Sequence, residues 1–183
     1  MEATYFGANG WLLDWSGLRV LVDPWFCGPL VFPPGPWFFQ GQLSRSFALP
    51  ADLDLLLLTQ GLDDHAHPET LALLPRSLPV VGSLTAAKKV QQMGFEQVTG
   101  LRPGETTAFG ELRIEATAGA PVPQVENGYL LRHPQGSLYL EAHGYLRADL
   151  APEVLDAVIT PVVDLGWRVA GAFVGGQAVL AGV

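Results

Sequence analysis

The chain has 183 residues, of which 49% are hydrophobic and 15% charged, and this balance excludes an intrinsically disordered protein. Ten basic and 18 acidic residues give a net charge of −8. An acidic surface disfavours nucleic-acid binding, and no apolar run approaches the roughly 20 residues that a membrane span requires. We therefore expect a single domain over residues 1–183, without nucleic-acid or membrane partners. A small-molecule ligand or substrate is expected instead.

Location and covalent cross-links follow from the N-terminus and the cysteine content. The segment from Met1 to Trp11 has no basic region before an apolar one, so it does not resemble a signal peptide. Cys27 is the only cysteine, which excludes an intramolecular disulfide and a zinc ribbon. A cytoplasmic location is the default expectation, and the oligomeric state is not specified by the sequence.

The first forty residues have the pattern of short strands joined by turns. Apolar segments at 4–6, 10–14 and 19–22 are separated by Gly-rich turns, which predicts β-hairpins. A loop rich in Gly, Pro and aromatic residues then runs to Phe39. We interpret this loop as a lid packed over the sheet, with a substrate wall or a partner surface as the alternative.

The remainder of the chain alternates between predicted strands and two helices. Leu55–Leu58 is apolar on both faces and predicts a central strand, while Val80-Val81 predicts another. Helices are expected at 68–74, where Pro68 suits the first turn, and at 85–93, where Gly94 ends the helix. The pattern predicts further strands at 106–109, 112–116, 128–132, 137–141 and 157–160, a β-turn at Glu126-Asn127-Gly128 and a short helix at 150–154. This order favours an α/β or α+β fold with two sheets packed face to face and helices outside.

Metal-capable side chains follow the central strand immediately. Thr59 ends the strand, and Asp64, His65 and His67 lie in the loop before the helix at Pro68. The carboxyl end of a central strand is where α/β folds commonly bind ligands. Imidazole and carboxylate together suit zinc, iron or manganese. The alternative is a metal-free carboxylate–imidazole pair that caps the helix.

This segment resembles the Thr-His-x-His-x-Asp-His motif of the metallo-β-lactamase superfamily. Thr59, Asp64 and His65 match the threonine, the aspartate and the last histidine. Asp23-Pro24 and His67–Leu71 resemble the ascorbate-phosphate lactonase-like branch of that superfamily, and Ile159–Val162 resembles its next core strand. The resemblance implies a four-layer αββα sandwich.

Departures from the family motif limit the metal content that the resemblance implies. Gln60 and Leu62 stand where the family has its first two histidines, and residues 116–124 contain no histidine, so the first metal site is absent as the family builds it. For the second site, the resemblance implies Asp64, His65 and His143 as ligands, with His143 in place of the bridging aspartate. At most one zinc, iron or manganese ion is therefore expected. The final family histidine would follow the Ile159 strand, but the sequence stops at Val183, so the sandwich is expected to be incomplete at its C-terminal end.

Three functions follow, in decreasing order of preference. The first is a metal-dependent hydrolase of an ester, lactone or phosphoester, with Asp64 and Glu141 as catalytic residues and Glu141 or Gln60 orienting a water molecule. The second is a metal-free, non-catalytic binding module on the same fold. The third is metal-independent acid–base catalysis by the cluster Asp64, His65, Glu141 and His143. His67 is expected outside the ligand set, either in contact with a ligand side chain or facing solvent.

Overall fold

The computed structural model describes residues 1–32, 34–37, 39–119, 126–141, 154–162 and 177–181. Its elements, in chain order, are β1 (Glu2–Gly7), β2 (Gly10–Trp15), β3 (Leu18–Val22), β4 (Leu30–Phe32), β5 (Phe39–Gly41), β6 (Leu55–Leu58), α1 (Pro68–Ala72), β7 (Val80–Ser83), α2 (Leu84–Gln92), β8 (Val98–Leu101), β9 (Thr106–Phe109), β10 (Leu112–Ala118), β11 (Asn127–His133), β12 (Gly136–Leu140), β13 (Ala157–Val162) and β14 (Gln177–Ala181). None of the described helices is long and apolar enough to cross a bilayer.

The first sheet has the strand order β1-β2-β3-β6-β7-β8. Its first three strands are antiparallel hairpin partners, because tight turns containing Gly7 and Gly17, both at positive φ, reverse the chain between them. Strands β3, β6, β7 and β8 run parallel, which places their carboxyl ends at the same edge. Leu55–Leu58 is fully buried, as expected for a strand covered on both faces.

The second sheet has the order β14-β13-β12-β11-β10-β9 and is antiparallel except for the β12–β13 pair. Alternate residues point into the space between the two sheets, where they form the main hydrophobic core. That core contains Trp15, Leu57, Ile114, Tyr129 and Leu138, with residues from both sheets in contact. Burial of this shared apolar surface holds the sandwich together.

Both described helices cover the outer face of the first sheet. Leu71 of α1 and Ala86 and Val90 of α2 pack against Leu56 and Leu58 of β6 in a second apolar cluster. Helix, sheet and sheet therefore form three successive layers of the predicted αββα sandwich. None of the described residues forms a helix on the outer face of the second sheet.

The predicted two-sheet architecture is confirmed, but several local predictions differ from the structure. The β-turn predicted at Glu126-Asn127-Gly128 is wrong, because Asn127 and Gly128 pair with Ala118 and Thr117 as the start of β11. Cross-strand pairing overrides the local turn preference of Asn-Gly here. Strands β4, β5, β8 and β14 were not predicted, and most of the helix expected at 150–154 lies outside the described residues.

Candidate metal centre

The candidate centre lies at the carboxyl ends of β3 and β6. Val22 pairs with Leu57 in the parallel ladder, so the residues that follow these strands emerge side by side. Asp23 has a φ of +38°, and its backbone N–H donates to Leu57 O at 3.2 Å. Its Oδ1 accepts the backbone N–H of Thr59 at 2.8 Å. Sheet pairing thus positions a carboxylate and a hydroxyl at one edge.

The Asp23 carboxylate and the Thr59 hydroxyl fix the ring of His65. His65 Nδ1 lies 2.8 Å from Asp23 Oδ2 and 2.8 Å from Thr59 Oγ1. The Thr59 hydroxyl in turn donates to Asp23 Oδ2. All three side chains are essentially inaccessible to solvent. A carboxylate on one ring nitrogen is the usual means of orienting the other ring nitrogen toward a metal ion.

The opposite ring nitrogen of His65, Nε2, faces Asp64 and Asn9. Asp64 Oδ2 lies 3.4 Å from Nε2, and the Asp64 side chain retains 24% exposure. Asn9 Nδ2 lies 3.2 Å from Nε2 and donates to Asp64 O at 3.3 Å. On the Nδ1 side, Glu126 adds a second fully buried carboxylate, with Oε1 at 3.9 Å. The imidazole therefore has acidic groups on both sides.

The buried environment shifts the pKa values of both His65 and Asp23. Burial alone would lower the pKa of His65, but the carboxylates of Asp23 and Asp64 hold that pKa well above its usual range. Burial raises the pKa of Asp23, and its contacts with His65 and Thr59 partly offset the increase. Protonation of the His65 imidazole is thus favoured by the surrounding carboxylates.

The spacing of Asp64 and His65 suits two ligands of one ion. Oxygen and nitrogen ligands of a tetrahedral zinc ion lie about 3.3 Å apart, given metal–ligand distances of roughly 2.0 Å. The observed separation between Asp64 Oδ2 and His65 Nε2 is 3.4 Å. Within the ranges that the structure describes, no three His, Cys, Asp or Glu side chains are grouped to hold a metal ion. The separation of these two side chains is compatible with two ligands of one ion, and no third His, Cys, Asp or Glu of the described ranges joins them.

The other predicted site residues are distributed as follows. His143, the predicted third ligand, lies outside the described residues. Glu141 is fully buried just after β12, and its backbone N–H donates to Ile159 O. Gln60 is also buried, while Leu62 accepts the backbone N–H groups of His65 and Ala66 through its carbonyl. The roles of Asp64, His65, His143 and Glu141 as metal ligands or catalytic residues remain predictions.

His67 is a structural residue of the following helix and is not solvent-facing, contrary to one of the two predicted positions. It is 2% exposed and forms the N-cap of α1, where Nδ1 accepts the Thr70 N–H. Its Nε2 lies 3.2 Å from Pro29 O. With both ring nitrogens engaged, His67 links the loop after β3 to α1. The helix cap that the alternative prediction assigned to Asp64-His65 is therefore supplied by His67.

The metal loop, residues 60–65, is attached to α2 through Lys89. Lys89 Nζ lies 2.6 Å from Asp63 Oδ1 and donates to Gly61 O at 3.1 Å. We expect Lys89→Met to lower the free energy of unfolding by less than about 1 kcal/mol, because the pair is partly exposed. The same change should speed hydrogen exchange at the His65 and Ala66 amides. Exchange no faster than in the exposed control Lys88→Met would contradict this role.

Sequence reasoning did not identify three neighbours of His65. Asn9 comes from the β1–β2 turn, and Glu126 lies before β11, and neither position carries a local signal that points to the site. Asp23 was noted only as part of an Asp-Pro segment. Asp23 directly follows a predicted strand, and parallel pairing of that strand with β6 would bring Asp23 close to His65. This position is the signal that could have identified Asp23 as a neighbour of His65.

Comparison with solved structures identifies the fold. An isothiocyanate hydrolase from Delia radicum gut bacteria superposes with a TM-score of 0.67 and 16% identity, covering 86% of this chain and 70% of that protein. The metallo-β-lactamase fold protein YhfI from Bacillus subtilis superposes with a TM-score of 0.58 and 16% identity, covering 83% and 62%. At these identities the similarity establishes a shared fold, which is the metallo-β-lactamase fold.

Sequence comparison gives the family. A UPF0173 metal-dependent hydrolase of Cereibacter sphaeroides is 27% identical over 161 residues, which are 82% of this chain and 66% of that protein. This chain thus spans slightly less than two thirds of the length of the curated relatives that it matches. The family described as the beta-lactamase superfamily domain matches residues 2–179. The chain therefore belongs to the beta-lactamase superfamily domain family.

Proposed function

We propose that this protein is a metal-dependent hydrolase that binds a single metal ion through Asp64 and His65, with His143 as the third ligand. The observation that carries the proposal is the arrangement around His65. Asp23 and Thr59 hold Nδ1, while Nε2 and Asp64 Oδ2 lie at the 3.4 Å separation that suits two ligands of one ion. The description of the Cereibacter sphaeroides relative as a metal-dependent hydrolase supports the same function.

A single ion is proposed because the first family site has lost its ligands. Gln60 provides a weak amide donor, and the isobutyl group of Leu62 cannot bind a metal. The buried Asp23–Thr59–His65 network holds the ring of His65, one of the ligands proposed for the second site. We infer that the protein retained the site that its buried network supports.

The chain's own residues would hold the metal ion and orient the attacking water molecule. A zinc, iron or manganese ion, when bound, would lower the pKa of a coordinated water molecule and polarise a carbonyl or phosphoryl oxygen. Asp23 keeps the His65 ring in one orientation. The partly exposed carboxylate of Asp64 would serve as a metal ligand. Glu141 is proposed to orient the attacking water. Esters, lactones and phosphoesters are the proposed substrate class.

Metal analysis of purified variants tests the proposal. Wild-type protein reconstituted with zinc and dialysed should retain about one ion per chain, measured by inductively coupled plasma mass spectrometry. His65→Gln and Asp64→Asn should each lose that ion, because each removes one of only three proposed ligands. His133→Gln is the matched control, since His133 ends β11 at the opposite end from Glu126. Retention of zinc by His65→Gln would refute the proposed ligand set.

A second candidate is a metal-free binding module on the same fold. It is favoured by Gln60 and Leu62 at two ligand positions and by the lack of a three-residue ligand group within the described part of the chain. Zinc-free wild-type protein after reconstitution, together with a small molecule retained in native mass spectrometry, would support this module and rule out the hydrolase.

A further inference from the structure

The β1–β2 turn directs one polar side chain into the candidate metal centre. Asn9 Nδ2 donates to Asp64 O at 3.3 Å and lies 3.2 Å from His65 Nε2. Asn9, which lies outside the metal loop, thus contacts Nε2, the ring nitrogen that faces Asp64. The contact joins two segments separated by more than fifty residues.

The Asn9 atom that faces the loop determines whether this side chain could bind a metal. The Asp64 carbonyl requires a donor, so the Asn9 amide nitrogen, and not its oxygen, faces the loop. The side-chain amide nitrogen bears two hydrogens of positive partial charge, and its lone pair is delocalised into the carbonyl group, so it is not available to a metal. At 3.2 Å from Nε2, it occupies the space into which a metal ion on this nitrogen, at about 2.0 Å, would extend.

Several contacts hold the backbone of the turn, so rotation of the Asn9 side chain is the simplest way to break its contacts with the loop. Gly7 and Ala8 both adopt positive φ, and the Tyr5 hydroxyl donates to Ala8 O at 3.0 Å. The turn also packs against the strand end, since a Cβ added at Gly10 would lie 3.5 Å from Asp23 O. Asn9 is only partly buried, which leaves room for its side chain to rotate outward.

We propose that Asn9 is a gate residue of the metal centre, whose side-chain amide is hydrogen-bonded to the metal loop beside His65 Nε2 and must rotate away before a metal binds to that nitrogen. This inference rests on the proposed function. Binding then has to break the hydrogen bond from Asn9 to Asp64, and this requirement reduces the apparent affinity for the metal. Asn9 is therefore an affinity-determining residue without being a ligand.

Zinc affinity of a variant without the amide tests the gate. Asn9→Ala should bind zinc about three- to tenfold more tightly than wild type in competition with a fluorescent chelator, the range expected for one net hydrogen bond. Tyr5→Phe is the control, because it removes a hydrogen bond from the same turn and leaves the Asn9 amide in place. Its zinc affinity should equal that of wild type.

Side-chain amide signals provide a readout independent of affinity. The chain has two asparagines, and the Asn127 amide is held by Leu101 O at 2.9 Å. In 1H–15N spectra, zinc should shift the Asn9 NH2 signals and leave those of Asn127 unchanged. Equal or weaker zinc binding by Asn9→Ala, or unshifted Asn9 signals, would overturn the gate alone. Zinc binding by neither protein would overturn the gate and the proposed function together.

Discussion

Asp23→Ala should lower the free energy of unfolding by about 3 to 5 kcal/mol, the range observed when one partner of a buried ion pair is removed. The substitution leaves His65 buried without the carboxylate that lies 2.8 Å from Nδ1, and it leaves the Thr59 N–H without its acceptor. Urea denaturation followed by circular dichroism would measure the loss. Zinc binding should weaken in parallel, because the ring of His65 is no longer oriented.

Two further variants make this prediction specific. Asp23→Asn retains an oxygen acceptor for the Thr59 N–H and a residue type that tolerates positive φ, so it should be less destabilising than alanine. Asp156→Ala removes an exposed carboxylate that accepts the Ser137 N–H, and its effect should be much smaller. An Asp23→Ala protein as stable as Asp156→Ala would show that the buried network does not support the site.

Gly61→Ala should displace the metal loop, with a loss of about 1 to 3 kcal/mol in stability and zinc binding weakened at least about tenfold. A Cβ at this position would lie 2.8 Å from the carbonyl carbon of Thr85 and 2.9 Å from its oxygen. Both are backbone atoms at the start of α2 and cannot rotate away. Calorimetric titration with zinc and urea denaturation would measure the two effects.

Gly94→Ala is the matched control for this second prediction. Gly94 follows α2 with a φ of +89°, and no heavy atom lies within 4 Å of an added Cβ. Alanine there costs about 1 to 2 kcal/mol through backbone strain alone. Its zinc affinity should match that of wild type. If both variants bound zinc equally well, close packing of the loop on α2 would not be needed for metal binding.

The layered fold could be predicted from the sequence because its signals are local. The four leucines of β6 specify a strand buried on both faces, and the glycine turns specify the first hairpins. The polar segment from Thr59 to His67 follows that strand, so the carboxyl edge of the sheet could be named as the candidate site in advance. The family resemblance of the same segment is confirmed by the match over residues 2–179.

Tertiary structure decided the partners of each ring nitrogen. Asp23 contacts His65 because β3 pairs in parallel with β6, and Asn9 contacts it because the β1–β2 turn lies at the same edge of the sheet. The spacing of these residues along the chain does not predict either contact. The burial of His67 and its role as a helix cap also depend on a carbonyl contributed by a distant loop. The sequence alone thus determined which chemical groups are present and at which edge. Packing determined which of them touch, because contacts between distant segments depend on strand pairing and burial.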